Sequence, residues 1–192
     1  MIDNPQMFVP ENLENVMRFA ASLTSESDRG CALMAAAYLD SELGKLLDKF
    51  FVNNASVKRE MLDQSRPLAS FSARIDMAYL LGLLGPKAHR DLHLIRKVRN
   101  EFGHVPVELN FDDQGIRNRC GELYHDGYVE TVSPRDKFIR TVIGVLAAIH
   151  VKLFKTNALN EADDLVINDT TREGHKKLMN EILKSLDAKP DA

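Results

Sequence analysis

Apolar residues recur along this chain at intervals of three and four, the spacing of one face of a helix. From Glu11 to about Ser22, "ENLENVMRFAAS" carries Leu13, Val16, Met17 and Ala20 in that rhythm, with Pro10 placed for a helix start. A second and longest helix is predicted through Leu33, Ala36, Ala37, Leu43, Leu46, Leu47 and Phe50 to about Phe51, capped by Ser25 or Ser27. "VNNASVKREMLDQSRP" opens on turn residues and holds one short helix before Pro67. "SFSARIDMAYLLGLLG" predicts a helix with Ile75, Ala78, Tyr79 and Leu83 inward, ending between Gly82 and Gly85. Pro86 opens the next, "PKAHRDLHLIRKVRNEF", with Gly103 as a left-handed cap and Pro106 blocking continuation.

Residues 105–132 are less regular. "DDQGIRNRCGELYHDGY" predicts short helices or turns with Asp112 as a cap, and "YVETV" a small two-stranded element. Ser133 and Pro134 then start "PRDKFIRTVIGVLAAIHVKLFK". "TNALNEADDLVINDTT" reads as a polar connection, and "REGHKKLMNEILKSLD" as a last amphipathic helix with Leu178, Ile182 and Leu186 on one face. Helices joined this closely predict an all-α fold: a single-domain antiparallel bundle of five to seven helices. The expected organisation is an N-terminal helix and arm over 1–24, the bundle over 25–157, and a C-terminal connection and amphipathic helix over 158–192.

Composition narrows the function classes. The formal net charge is −3, so no overall basic field draws nucleic acid in, and such binding would need a local patch. Cys31 and Cys120 stand far apart, outside any C-x-x-C pair, which gives neither a zinc signature nor a disulfide framework and suits a reduced, cytoplasmic setting. "MIDNPQMFVPEN" does not read as a signal peptide. "FIRTVIGVLAAIHVKLF" contains Arg140, His150 and Lys152 and is too short and polar to span a bilayer, so no membrane partner is expected.

The helix after Pro86 carries the candidate chemistry. At about 100° per residue, Leu94, Ile95, Val98 and Phe102 form an apolar arc. His89, His93, Arg96 and Asn100 form another, and Arg99 lies at the rim between them. The plain reading of that second arc is a solvated face. His89 and His93 have a spacing that can hold zinc, but their face of the helix carries no carboxylate or cysteine to complete a ligand set, and no metal or other cofactor is assigned. The sharper reading pairs Arg99 with His104. A guanidinium grips phosphate oxygens, and an imidazole moves a proton near neutrality. Together they could cleave an RNA phosphodiester without a metal. Five residues of straight helix turn about 140°, so the two side chains converge only if the helix ends or bends at Gly103, or if a two-fold dimer sets two copies side by side. Asp40, Glu42 and Arg74 are further charges inside apolar helices, read either as structural ion pairs or as members of the same cleft as Arg99. His150, within an apolar helix, reads as a hydrogen-bonded core residue.

"RNEFGH" is similar to the R-N-x-x-x-H motif of the HEPN superfamily, small helical proteins that often dimerise. Many of these are metal-independent endoribonucleases and others are inactive binding modules. That resemblance implies Arg99 and His104 as a catalytic pair, oriented by Asn100. "AAAYLDSELGKLL", "PLASFSARIDMAYLLGLL" and "LHLIRKVRNEFGH", in this order, resemble the mannitol operon repressor family over about residues 25–125. This longer resemblance implies a HEPN-like bundle and a bacterial transcriptional regulator acting in the cytoplasm. No basic, exposed reading helix is evident, so the regulator is expected to work through a protein partner, as a homodimer, and not by direct sequence-specific DNA binding. The alternative is a toxin-like endoribonuclease with RNA as substrate. In the binding reading, His89, His93 and Arg96 on the polar face of this helix, with Arg74, Asp40 and Glu42 around the Arg99 cleft, are the binding residues.

Overall fold

The computed structural model describes residues 10–104, 108–124, 133–163 and 169–187. Eight helices lie among them, more than the five to seven expected, and no strand does; "YVETV" falls outside the described residues. They are α1 (Pro10–Ser25), α2 (Asp28–Phe50), α3 (Ala55–Leu62), α4 (Phe71–Leu80), α5 (Pro86–His104), α6 (Gln114–Gly121), α7 (Pro134–Lys155) and α8 (Asp169–Asp187). The chain divides into two compact units, Met1–Leu159 and Asn160–Ala192.

In the first unit α2 is the central element and packs against α7, α5 and α4. Its buried row, Leu39, Leu43, Leu46 and Leu47, meets Ile75 of α4, Leu92, Ile95 and Val98 of α5, and Val142, Leu146 and Ile149 of α7. Starts are set by side-chain caps: Ser27, Asn54, Ser70 and Ser133 each accept a bond from a first-turn N–H of α2, α3, α4 and α7. The sequence placed Asp112 as the cap of α6, but the capping position is Asp113, whose carboxylate instead accepts from the Asn110 N–H.

The α4–α5 connection departs from expectation in two places: α4 ends at Leu80, ahead of Gly82, and Tyr79 does not face inward. Leu83 N–H reaches back to the Ala78 carbonyl at 2.9 Å while Gly82 takes φ +70°, a left-handed turn that suits glycine. Tyr79, expected inward, is 39% exposed and stacks on His89. The other glycine proposed for such a turn, Gly103, has no left-handed φ, and α5 runs through it to His104. Fully buried Phe102 explains this: it packs on Phe111, which packs on Phe138, and that burial outweighs the roughly 1 kcal/mol that a mid-helix glycine costs.

Arg135, at the start of α7, holds the α1–α2 corner. Its guanidinium bonds the carbonyls of Leu23, Thr24 and Glu26 and pairs with Asp28, whose other oxygen accepts from the Phe111 N–H. Cys31 and Cys120 are buried free thiols, pushed by burial up to about 11 and about 12, far from reactive thiolates. The second unit is α8, whose Leu178, Ile182 and Leu186 lie on one face as expected and are exposed. No helix among the described residues is long and apolar enough to cross a membrane.

Candidate functional site

α4 and α5 lie side by side, with the N-terminal turn of α4 near the later turns of α5. Where they meet α2, small side chains leave room. Ala36 and Ala37 of α2 and Ala69 before α4 border an open groove of about 440 Å³. Its polar wall is Arg96, Arg99 and Asn100 of α5, Asp40 of α2, and Ser70 and Ser72 at the start of α4. Arg96 is half-buried, with a fully buried Nε that has no hydrogen-bond partner. Arg99 is exposed, and its Nη1 donates to Asn100 Oδ1 at 3.0 Å. The first turn of a helix favours negative charge, so α4 adds to the pull of the two guanidiniums. Two guanidiniums and one carboxylate, Asp40, thus share the groove with the start of α4.

Arg74 and Asp40 belong together beside this groove. Arg74 Nη1 bonds Asp40 Oδ1 at 3.0 Å, Nε bonds the Leu68 carbonyl at 2.8 Å, and Nη2 bonds the Leu62 carbonyl at 3.0 Å. Burial raises the Asp40 carboxyl above its usual range, and the Arg74 and Arg99 charges pull it back down. Glu42 lies elsewhere. Two residues of helix turn about 200°, so it faces away from Asp40. It is buried between Lys45 Nζ at 2.6 Å and His150 Nε2 at 3.0 Å on α7. The expectation that Glu42 shares the Arg99 cleft is thereby corrected, while His150 is the hydrogen-bonded residue expected of it.

His104 does not line the groove. Because α5 runs on through Gly103, the bend that would bring Arg99 and His104 together is missing, and their directions differ by about 140° within one chain. His89 and His93 share Asp76 of α4, each Nε2 lying 2.9 Å from the same carboxylate oxygen. Asp76 stands on a different helix, 13 residues before His89, so the spacing along α5 gives no sign of it. Asp91, between the two histidines in sequence, lies instead on the apolar side of α5, fully buried, where it accepts the Tyr124 N–H at 3.1 Å.

These features define an all-helical bundle with an open, arginine-lined groove beside one polar helix face. Residues 22–137 match the mannitol repressor family, MtlR, and the chain belongs to that family. The mannitol operon repressors of two Escherichia coli strains are each 33% identical over 64 residues, 33% of this chain. The match spans only 33% of the length of those relatives. The fold is similar to that of a chain in the X-ray structure of the MtlR–HPr complex from Escherichia coli, with a TM-score of 0.61 at 19% identity, covering 70% of this chain and 98% of that one.

Proposed function

We propose that this chain is a transcriptional regulator of the mannitol-repressor type that acts by binding a protein partner, with an acidic or phosphorylated group of the partner seated between Arg96 and Arg99. The observation that carries the reading is the groove: two guanidiniums beside the start of α4, with no carboxylate bonded to either among the described residues. Family membership supplies the regulatory role, and the solved structural neighbour, a complex of MtlR with HPr, makes HPr the first partner to try. A direct reading of operator DNA has less support. The candidate reading helix, α5, commits its apolar arc to the bundle core, where Leu92, Ile95, Val98 and Phe102 are fully buried, and the net charge is −3. The regulator works as a cytoplasmic homodimer.

Titration calorimetry of the full chain with HPr tests this. Binding is expected, and Arg96→Ala with Arg99→Ala should weaken it by about 2 kcal/mol or more, as for arginines central to an interface. Binding untouched by the double variant would overturn the placement. A sequence-selective, nanomolar DNA footprint at physiological salt would overturn the indirect route.

Arg99 and Asn100 in the groove also favour a second reading, RNA cleavage, with His104 supplied by a second copy of the chain. Metal-free cleavage of single-stranded RNA that disappears in both Arg99→Ala and His104→Ala would support it. No cleavage by wild-type protein would remove it.

A further inference from the structure

At the other end of the polar face of α5, Asp76 Oδ1, His89 Nε2 and His93 Nε2 converge on one point, and we infer that they form a binding site for a divalent transition-metal ion of the zinc class. The inference is independent of the partner-docking reading. The three atoms are mutual neighbours, with both oxygen–nitrogen separations at 2.9 Å and the nitrogen–nitrogen separation at 3.3 Å. Around an ion with ligand bonds of roughly 2.0–2.1 Å, ideal edges are about 3.3 Å for a tetrahedron and about 2.9 Å for adjacent octahedral positions. The observed triangle lies between the two, so a single ion fits with small side-chain adjustments.

The chemistry of the donors points the same way. Two histidines one helical turn apart on α5 and a carboxylate from α4 make a two-histidine, one-carboxylate set, all nitrogen and oxygen, which suits zinc and its neighbours better than calcium or magnesium. Two protonated ring nitrogens only 3.3 Å apart would face each other donor to donor. A cation at the centre turns the same contact into two lone pairs on one acceptor, with each ring carrying its proton on Nδ1. The histidine side chains are about a quarter exposed at 26% and 22%, whereas Asp76 is 53% exposed. The buried side of the site is therefore formed by the rings, and the remaining coordination positions open towards water. The Tyr79 ring stacks on His89 with centroids 4.4 Å apart, which limits rotation of that imidazole and explains why an aromatic residue sits exposed at the end of α4.

Three protein ligands with open positions resemble zinc sites that take up a further ligand more than closed structural ones. The ion would also tie α4 to α5, and its added positive charge would lie on the same helix face as Arg96. The test is titration of the chelator-treated full chain with zinc chloride, read by calorimetry, by thermal unfolding and by the histidine ring resonances in NMR.

One zinc ion per chain should bind, raise the unfolding temperature, and shift the His89 and His93 resonances while leaving His104 and His175 unmoved. Asp76→Asn and His93→Ala should each weaken binding by roughly 100-fold or more, since losing a ligand costs at least as much as losing the group that orients it. Asp76 is exposed, so the Asn variant should retain the helical circular dichroism of wild type. His175→Ala, on α8, should bind zinc as wild type does. No saturable binding by wild type, or binding that survives unchanged in a folded Asp76→Asn variant, would overturn the site.

Discussion

Arg74 and Arg96 stand on neighbouring helices beside the same groove, and the fold treats them in opposite ways. Arg74 bonds three carbonyls and a carboxylate, drawing the end of α3, the turn before α4 and the middle of α2 onto one guanidinium. Among the described residues, Arg96 has a buried Nε with no partner, and next to it Arg99 bonds the neighbouring Asn100 alone. A cation whose donors are matched by the protein holds the fold together. A cation whose donors are left open keeps its attraction for something that arrives from outside. The difference comes from α2: Asp40 is within reach of Arg74, whereas alanines stand where a partner for Arg96 would have to be.

Removing the matched arginine should have the largest effect. Arg74→Ala leaves Asp40 half-buried without its ion pair and releases the Leu62 and Leu68 carbonyls, for an expected loss of about 3 kcal/mol in folding stability. Denaturant unfolding monitored by circular dichroism measures it. A loss under about 1 kcal/mol would place Arg74 with the open arginines.

Glu42 offers a second matched site, enclosed by Lys45 and His150. Glu42→Gln should cost roughly 2 kcal/mol at neutral pH, the scale of a buried charge-assisted hydrogen bond. Its pH dependence has a definite sign. The hydrogen bond from His150 holds the Glu42 carboxyl below its ordinary value of 4.5. The stabilisation is therefore complete above that value and disappears as the pH falls through the lower, folded one. Wild type should lose stability over that acid range and the Gln variant should lose less. Parallel curves for the two would remove Glu42 from the matched class.

Arg96→Ala should alter stability by no more than about 0.5 kcal/mol, because it breaks no hydrogen bond among the described residues and removes a buried unpaired nitrogen. The same variant should weaken partner binding. Thermal unfolding beside partner titration separates the two quantities. A large drop in stability would mean that Arg96 is a structural residue.

Much of this fold was legible from periodicity and caps. Serines at positions 27 and 133, and the apolar arc of α5, needed only local information. The candidate residues were legible as types but not as partners. Asp40 and Glu42 look equivalent in sequence, yet two residues of helix send one to the groove and the other to α7. His89 and His93 showed the spacing of a ligand pair, while their carboxylate came from α4 and became visible only once the hairpin closed. Gly103 shows the opposite limit: a local signal for a helix stop that was overridden by burial of the residue before it.

Asp40 lies between the matched and the open arginines and reports on both. Its carboxyl is raised above the ordinary 3.8 by burial, and opposed first by the charge and hydrogen bond of Arg74 and then by the charge of Arg99. Removing either cation should raise it further, and Arg99→Ala should do so by less than Arg74→Ala, since the exposed Arg99 acts only through space and through water. Carbon-detected NMR titration of the Asp40 carboxyl reads the ordering directly. Added salt should shrink the Arg99 contribution and leave the Arg74 contribution nearly intact, because a hydrogen-bonded, half-buried pair is poorly screened. If the two variants shift Asp40 equally, and salt acts equally on both, the guanidiniums are electrostatically equivalent. The contrast between a fold-holding arginine and a ligand-seeking one would then rest on hydrogen-bond geometry alone.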